Sequence, residues 1–595
     1  MSDVATLQKL AQDLENHLGD PAAPDAIVGW AAALDHDDRE CFHHEGVSHL
    51  QAWRFPDYQV PSTHGGRAVD IQDSLELFRL VARRDPALAT SLATTGLSFM
   101  PIWIAGTDAQ KSYWVARVCN GSALSWGLSE RDHGSDIVAN DTVAHATDDG
   151  YVLNGEKWPI GNSALGDAVT VFARTGHRAG PAAFSILVVD RTRTAASSLY
   201  VQSRLRLHGL RSIDNGGLSF RNTFVPADGL IGAEGQGMEI SIKAALAVRA
   251  LAPSMALGCA DTGLRLTLDF IRQRNMFGTM VIEVPYTREQ IVGAFADLLI
   301  CDAVAIGAVR ALQVSPDQSS ISSSISKYWV PSTLERTMSL LASVLGARHF
   351  IRSDPHFGIF HKMSRDLWIS HFAEGNVVVN LKNIASHLPI LTASALRPDC
   401  DTRAAAVERT ATTFDLDQQL PPFAPWTLQI RSRHGNDVVT ALPSMIVSLR
   451  EWADSESCTR AGYLHAAADL ASRFIDRLSA IEFDLADLID NSTMWAKTAD
   501  AYRLAEQYAV VHAASALIAL SVYSRDSLPS ALPDPAILSV CLGRLWAQIA
   551  PTEAVTPPGA VDAAAHVLIA LHDAGQLFAH RQTPLANTSI RESAT

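Results

Sequence analysis

Hydrophobic residues in the first part of the chain recur at the spacing of an α-helix. In the segment 71–99, Leu75, Phe78 and Ala82 fall on one helical face, and Val81 lies beside them. Apolar residues three and four positions apart form one side of a helix, which must be buried against another element. The pattern therefore predicts that residues 1–124 form a helical domain.

The pattern changes between residues 125 and 237. Apolar and β-branched runs of strand length appear at 169–173 and 184–189. The turn-forming pairs Asp149-Gly150 and Asn154-Gly155 flank a further short run. These runs predict a β domain inserted between helical domains.

Helical spacing returns after Gly237 and continues to about residue 392. The next segment is richer in Pro and Asp, which predicts a linker. An Ala- and Leu-rich region follows and predicts further helices. The fold class is therefore mainly α with an inserted β domain. The predicted divisions are a helical domain 1–124, a β domain 125–237, a helical bundle 238–392, a linker 393–430 and a C-terminal helical extension 431–595.

The size and charge of the chain restrict its function. A chain of 595 residues is too long for one compact core, so we expect several domains. With 47% hydrophobic and 19% charged residues, it has the balance of a folded globular protein. Its formal net charge of -15 and the lack of a basic stripe argue against a nucleic-acid partner.

Cysteine and histidine usage favours a reducing compartment without a metal site. The seven cysteines are scattered and form no C-x-x-C pair. His43 and His44 are adjacent, so we expect an exposed pair that points apart rather than metal ligands. The N-terminus has no apolar signal core, and the longest apolar stretch, 508–523, is shorter than the ~18 residues typical of a membrane span. We therefore expect a cytoplasmic protein with no transmembrane segment.

A series of short motifs indicates the chemistry. In chain order they are Gly65-Gly66, 106–111 (GTDAQK), 127–136 (GLSERDHGSD), 151–158 (YVLNGEKW), 274–278 (RNMFG), Leu345-Gly346, Arg365-Asp366 and Glu374-Gly375. Their order and spacing resemble the acyl-CoA dehydrogenase family over about residues 60–392. The resemblance implies a helical domain, a β-barrel domain and a four-helix bundle, with FAD as the cofactor.

The reaction that this resemblance implies is the α,β-desaturation of an acyl thioester. A carboxylate must remove the proton α to the carbonyl while the flavin accepts a hydride from the β carbon. Hydrogen-bond donors must also polarise the carbonyl, where negative charge develops. A carboxyl group in an apolar pocket, with its pKa raised toward neutrality, suits the first task.

Glu374 is the candidate base. It lies among apolar neighbours and directly before Gly375, whose backbone permits a sharp turn and the close approach of a ligand. In the family, the Glu of this pair is the base, and its backbone N–H helps to polarise the carbonyl. Some relatives place the base just before the arginine that is Arg249 here, but this chain has Val248 at that position. A solvated or helix-capping Glu is the alternative interpretation.

The resemblance also implies which residues contact FAD and the substrate. Ser135, Arg249 and Gly375 would lie beside the thioester. Arg274 and Phe277 would reach the FAD of a neighbouring subunit, with Arg274 pairing with its pyrophosphate. The remaining contacts with FAD are assigned to Leu128, Ser129, Gly134, Ser135, Trp158, Gly161, Ser343, Gly346, Ala347, Asn376 and Val378.

Three segments depart from the family pattern. Trp158 lies one position early, and Gly161 stands where the family has a threonine. Gly346-Ala347 replaces a Gly-Gly pair, and Asn376 replaces the threonine that follows Glu-Gly. The missing hydroxyl at Gly161 would weaken a contact with flavin N5, and these changes leave room for a specialised biosynthetic role.

The region after residue 392 is similar in size and position to the helical extensions of very-long-chain dehydrogenases and acyl-CoA oxidases. In those relatives it replaces a second pair of subunits, so the resemblance implies a homodimer. The acyl group would be carried by coenzyme A or by an acyl carrier protein. Electrons would pass to an electron-transfer flavoprotein or, in an oxidase, to oxygen. A non-catalytic binding protein on the same fold is the alternative from another class.

Overall fold

The computed structural model describes residues 4–176, 180–528, 532 and 534–586. It confirms the predicted fold class, because helices on either side enclose a β domain. The helices before the first strand are α1 (Val4–Leu18), α2 (Trp30–Asp38), α3 (His44–Ala52), α4 (Ile71–Ala82), α5 (Pro86–Ala105) and α6 (Asp108–Cys119).

The segment 106–111 connects these helices to the β domain. Thr107 Oγ1 accepts the N–H of Gln110, and Gln110 Oε1 accepts the N–H of Thr107 at 2.8 Å, which is a reciprocal capping box at the start of α6. Gln110 Nε2 also donates to the carbonyls of Asp228 and Leu230, each at 2.8 Å. One motif therefore begins a helix and fixes it to the next domain.

The β domain is an eight-stranded sheet in which neighbouring strands follow the order β6-β7-β3-β2-β4-β5-β8, with β1 parallel to β4. The apolar runs seen in the sequence are β4 and β5, an antiparallel pair whose residues are almost all buried. The strands are β1 (Leu124–Gly127), β2 (Val143–Thr147), β3 (Gly150–Gly161), β4 (Ala168–Arg174), β5 (Phe184–Asp190), β6 (Leu199–Val201), β7 (Asn215–Pro226) and β8 (Leu230–Ile231).

A helical bundle follows the sheet. Its long helices α9 and α10 pack on each other and on α8, and apolar residues fill the interior between them. A short hairpin, β9 and β10, projects between α8 and α9. The elements are α7 (Gly237–Leu251), α8 (Pro253–Gln273), β9 (Asn275–Met276), β10 (Thr279–Met280), α9 (Pro285–Val314), α10 (Ser319–Leu345), α11 (Pro355–Asp366), α12 (Ile369–Phe372) and α13 (Val377–Leu396).

The C-terminal extension is helical and packs on this bundle. The segment 393–430, for which composition predicts a linker, contains a helix, and its Phe414 lies so close to Gly307 of α9 that a Cβ there would meet the ring at 2.5 Å. The segment is therefore part of the packed structure. The helices are α14 (Cys400–Phe414), α15 (Asp437–Thr440), α16 (Leu442–Asp454), α17 (Cys458–Asn491), α18 (Ala499–Tyr523), α19 (Pro535–Ala547) and α20 (Ala560–Asp573).

After α20 the chain returns to the bundle. The N–H of Phe578 donates to Asp261 at 2.9 Å, and the N–H of His580 donates to Asp302 at 2.9 Å. Arg79 Nη2 donates to the carbonyl of Phe578 at 3.1 Å. Buried carboxylates of α8 and α9 therefore anchor this tail in the protein interior.

Four of the described helical segments are long and apolar enough to cross a membrane: α5, α7 with α8, α9 and α18. Between 67% and 100% of the most apolar stretch of each is buried within the protein. The protein core thus accounts for their apolar character, and the absence of a transmembrane segment stays a prediction.

The expectation of an exposed histidine pair is wrong for His43. His44 is exposed, but His43 is only 3% exposed, and its Nδ1 lies 3.7 Å from the buried Asp85 carboxylate. The ring also packs on Gly46, where a Cβ would approach it to 2.8 Å. Adjacency predicts that the two side chains diverge, but not which of them enters the core.

Candidate active site

A cavity of about 610 Å³ lies between the β domain and helices α4, α5, α7 and α8. One wall is the β-domain loop 128–137 together with the end of β3, and the opposite wall is α7 with the turn 373–376. Much of the lining is apolar, including Phe78, Met100 and Trp103. An apolar cavity with a few polar groups is the usual form of a site for a small molecule or cofactor.

This cavity brings together most of the predicted site residues from distant parts of the chain. Their convergence supports one common site, while the individual contacts with FAD and substrate stay predictions. The predicted residues that line the cavity are Leu128, Ser129, Gly134, Ser135, Trp158, Gly161, Arg249, Glu374, Gly375 and Asn376.

Arg274 and Phe277 lie elsewhere: Arg274 directly follows α8, and Phe277 is in the turn between β9 and β10. Both are exposed, and the Phe277 side chain is 99% exposed. This position agrees with the expectation that they act on a neighbouring subunit, because they do not line the cavity of their own chain. Contact with a second subunit's FAD stays a prediction.

The other predicted residues outside the cavity lie on helix ends. Val378 is exposed on the first turn of α13, whereas the next residue, Val379, lines the cavity. The three remaining residues are exposed at the C-terminal end of α10: Ser343, Gly346 and Ala347. Their contacts with FAD also stay predictions.

Glu374 lies in a turn with left-handed backbone. The φ angle is +57° at Glu374 and +106° at Gly375, a conformation that is unfavourable for a residue with a side chain unless the surroundings hold it. Arg249 Nε donates to the Glu374 carbonyl at 2.7 Å, and Asn380 Nδ2 donates to the Gly375 carbonyl at 3.2 Å. A Cβ on Gly375 would lie 3.0 Å from Arg249 Nη2, so the guanidinium packs directly on this glycine.

The surroundings of Glu374 adjust its acidity in two directions. Burial raises the pKa of the carboxyl group, whereas Arg249, Lys327 and the Trp126 indole lower it, and the net shift is upward. A carboxyl group with a raised pKa accepts a proton more readily near neutral pH. The turn therefore presents a group suited to general-base chemistry at the cavity wall.

Lys327 on α10 is a residue that no motif identified. It is only 1% exposed, and its Nζ donates to the Ser370 carbonyl on α12. Burial and the nearby Arg249 lower the pKa of Lys327 to about 7, and Glu374 opposes this shift. A buried residue whose pKa is shifted by burial and by specific nearby charges is a candidate for a functional site.

A buried ion pair stabilises the β-domain wall of the cavity. Lys157 Nζ donates to Glu130 Oε1 at 2.8 Å and to the Leu128 carbonyl at 3.1 Å. The Glu130 carboxylate also accepts the N–H groups of Asp141 and Thr142. Burial lowers the pKa of Lys157 to about 8 although Glu130 raises it. This network holds the loop that begins at Leu128.

The side chains of Glu130, His133 and Asp141 form one group whose ligand atoms lie within 4.8 Å of one another. The Glu130 carboxylate already accepts hydrogen bonds from Lys157 and two backbone N–H groups, and Asp141 is largely exposed. The grouping is therefore weak support for an ion, and the expected absence of a metal site stays a prediction.

Two glycines shape the β-domain wall: Gly161 packs closely on Thr94, whereas Gly134 faces open space. A Cβ at Gly161 would lie 3.1 Å from both Thr94 Oγ1 and Thr94 Cγ2, so Thr94 places a hydroxyl near the position of the missing side chain. A Cβ at Gly134 would meet no described atom within 4 Å. Hydroxyl and backbone groups set among aromatic and aliphatic side chains fit a bulky, planar cofactor such as FAD.

A helical domain, a β domain and a helical bundle meet around this cavity, which is the arrangement of the acyl-CoA dehydrogenase fold. Models of the acyl-CoA dehydrogenase N-terminal, middle and C-terminal domains match residues 25–122, 125–223 and 235–388. Together these matches cover more than half of the chain. The chain therefore belongs to the acyl-CoA dehydrogenase family, whose members are FAD-dependent.

The chain is similar to one relative in sequence and to two solved structures in fold. The chain is similar to the short-chain specific acyl-CoA dehydrogenase of Megasphaera elsdenii, with 28% identity over 250 residues, which is 41% of this chain and 64% of that protein. Its fold resembles butyryl-CoA dehydrogenase from Megasphaera elsdenii, with a TM-score of 0.58, 22% identity and coverage of 64% of this chain and 97% of that one. It also resembles the prolyl acyl carrier protein oxidase AnaB, with a TM-score of 0.58, 19% identity and coverage of 65% and 98%. The chain therefore aligns with less than two thirds of the length of the short-chain specific dehydrogenase.

Proposed function

We propose that this protein oxidises an acyl thioester to the 2-enoyl thioester, with Glu374 as the base. One observation carries the proposal: the Glu374 carboxyl, whose pKa is raised by burial, lies in a left-handed turn at the wall of the cavity. Family membership supports dehydrogenation of an acyl thioester in general, and the identity of the base is the finer part of the proposal.

FAD, when bound, would supply the acceptor for the hydride from the β carbon, which carries both electrons of the oxidation. The loop that contains Leu128, Ser129 and Ser135 would hold it on the β-domain side, next to Trp158 and Gly161 at the end of β3. With ligands bound, the apolar walls would limit the access of water and thereby strengthen the polar interactions inside the cavity.

Glu374 would accept the α proton on a carboxylate oxygen. The substrate thus loses one proton to Glu374 and one hydride from its β carbon, which leaves the new double bond. Arg249 positions the base, because it holds the Glu374 carbonyl at 2.7 Å and packs on Gly375. Small errors in such positioning are costly, since proton transfer requires hydrogen-bond distance.

The carrier and the electron acceptor are further parts of the proposal. AnaB, which shares the fold, is named as an oxidase of a prolyl acyl carrier protein, which favours testing carrier-bound substrates beside coenzyme A esters. The acceptor is an electron-transfer flavoprotein or, in an oxidase, oxygen. Hydrogen peroxide formed in step with product would identify an oxidase.

We also propose a cytoplasmic homodimer. The exposed Phe277 hairpin offers a contact for one partner subunit, and the extension covers α9 and α13 through α18. Covering that face leaves less of the bundle free for a second pair of subunits. Sedimentation of the purified protein as a stable tetramer would contradict the dimer.

The test is an anaerobic titration of the FAD-loaded protein with a panel of acyl-CoA and acyl-pantetheine thioesters, followed by visible absorbance. We expect one thioester class to bleach the flavin, and Glu374→Gln to slow bleaching by about 10²- to 10⁴-fold, the usual contribution of a general base. Glu239→Gln is the matched control, because Glu239 is a solvent-exposed residue of α7 paired with Lys243.

Two outcomes would contradict the proposal. A flavin that no thioester reduces would favour a binding protein or another flavin reaction. Reduction of Glu374→Gln at the wild-type rate, with FAD bound, would show that another group takes the proton.

A further inference from the structure

We propose that Lys327 is a positioning residue for the base: it holds the segment that carries Glu374 and supplies, with Arg249, the positive charge near the carboxylate. This inference rests on the proposed role of Glu374. It adds a function for a buried lysine that lies outside every motif of the site.

Lys327 contacts α12, a single helical turn that ends two residues before Glu374. Lys327 Nζ donates to the Ser370 carbonyl in this turn. The last carbonyls of a helix lack partners within the helix, and a cation there is favourable. Lys327 therefore attaches α12 to the middle of α10, immediately before the left-handed turn.

Other helices hold the same segment at further points. Ser370 Oγ donates to the Ala252 carbonyl, between α7 and α8, at 3.3 Å. Arg249 on α7 donates to the Glu374 carbonyl at 2.7 Å. Hydrogen bonds from α7 and α10 thus hold the segment from Ser370 to Glu374. The left-handed backbone of the turn is unfavourable and persists only with such support.

Burying Lys327 requires compensation. A lysine ammonium that is 1% exposed loses its hydration, which is strongly unfavourable unless partners replace the water. A neutral carbonyl is a modest replacement, whereas the nearby Glu374 supplies an opposite charge. The two residues therefore stabilise each other's ionised forms.

The other titratable groups around Lys327 cannot supply this charge in its place. His371 on α12 faces Glu335 at 3.3 Å, and burial together with Lys327 lowers the pKa of His371 to about 4, so this ring is neutral near pH 7. Arg336 acts on His371 and on Glu335. Arg249 and Lys327 are the cations whose charge lowers the pKa of Glu374.

The expected consequence is a change in the pH dependence of the base. Without the Lys327 charge, burial of Glu374 is opposed less, so the carboxyl stays protonated to a higher pH and cannot accept the α proton. We expect Lys327→Met to move the acid limb of the flavin-reduction rate upward by about one pH unit. Below that limb the rate falls about tenfold relative to wild type, and above it the rate recovers.

Two further variants separate charge from packing. Lys327→Arg keeps the charge and should leave the acid limb near its wild-type position. Lys243→Met is the matched control, because Lys243 also donates to a backbone carbonyl, that of Trp426 at 2.9 Å, but lies outside the cavity lining. If Lys327→Met fails to bind FAD, Lys327→Gln carries the same test, since its amide still donates but has no charge.

A second readout does not depend on turnover. The infrared band of the protonated Glu374 carboxyl, identified by its loss in Glu374→Gln, is titrated with pH in the substrate-free holoenzyme. We expect its midpoint to rise in Lys327→Met. If no thioester reduces the wild-type flavin, the proposed function fails, and the infrared titration still tests Lys327. An unchanged midpoint, with a rate lowered equally at every pH, would overturn the inference.

Discussion

The anchoring of the C-terminal tail predicts the effect of Asp302→Asn. Asp302 on α9 is 2% exposed, and its carboxylate accepts Arg79 Nη1 at 2.7 Å and the N–H of His580 at 2.9 Å. His580 Nδ1 lies 3.0 Å from the same carboxylate. Asparagine preserves the shape but removes the charge and turns one acceptor into a donor, so we expect the tail around His580 to detach more often.

The partners of Asp302 determine how large the expected effect is. Burial alone would raise the pKa of Asp302, but Arg79 and His580 outweigh it and lower the pKa from 3.8 to about 2. A shift of this size corresponds to roughly 2 kcal/mol in favour of the ionised, folded state. This stabilisation is fully present above the ordinary aspartate pKa and is lost as the pH falls through about 2. Arg79 belongs to α4 and keeps its contact when the tail detaches, so the part that bears on the tail is the contact with His580. A hydrogen bond to a charged group contributes roughly 2 kcal/mol, and its loss near neutral pH raises the detached population about 30-fold.

The assay is amide hydrogen exchange, read by mass spectrometry on a peptide that covers residues 576–586. If exchange proceeds through local opening, it should be about 30-fold faster in Asp302→Asn than in wild type at neutral pH. Asp317→Asn is the matched control, because Asp317 pairs with His434 at 3.1 Å on the surface, where such pairs contribute about 1 kcal/mol or less. Unchanged exchange of the tail would refute the reasoning, as would an equal increase throughout the chain.

Three further substitutions test the cavity walls. Gly375→Ala should slow flavin reduction at least about tenfold while FAD stays bound, because the new Cβ meets Arg249 Nη2 at 3.0 Å and the φ of +106° disfavours a side chain; a wild-type rate in stopped-flow measurements would contradict this. Arg249→Lys keeps a charge near Glu374 but loses the Nε donor. The rate of flavin reduction should therefore fall about tenfold, with its acid limb at the wild-type pH. A shifted acid limb would instead indicate a mainly electrostatic role for Arg249. Lys157→Met should reduce the free energy of unfolding by about 3 kcal/mol, because Glu130 stays buried without its partner. Urea denaturation measures this loss, and adding Glu130→Gln should recover part of it; an equal loss in the double variant would locate the cause in packing.

The contiguous parts of the site could be predicted from sequence. The glycine after Glu374 signals a turn, and the structure gives both residues positive φ angles. The loop that begins at Leu128 and the end of β3 are also short segments with recognisable spacing, and both line the cavity. Such segments can be recognised because one stretch of backbone supplies several contacts.

Residues placed by tertiary packing could not be predicted. Lys327 lies in a helix where a lysine would ordinarily face solvent, and the packing of α10 against several other helices, including α7 and α12, buries it. Thr94 comes close to Gly161 because α5 packs on the sheet, a contact between positions far apart in sequence. The same limit applies to α14, because proline content marks where helices end but not whether the stretch between two prolines is helical.

Two carboxyl groups line the cavity among the residues that the structure describes, and their environments differ in a way that supports the role proposed for Glu374. Glu130 accepts Lys157 and two backbone N–H groups, and although burial raises its pKa, these partners lower it overall, so Glu130 stays ionised and structural. For Glu374 the balance is reversed: burial outweighs the cations, and its pKa is raised. Two carboxyl groups whose pKa values are driven apart mark the one that can exchange a proton near neutral pH. Val248 occupies the position before Arg249 with an apolar side chain, so Glu374 is the carboxyl group of the cavity that we propose removes the α proton.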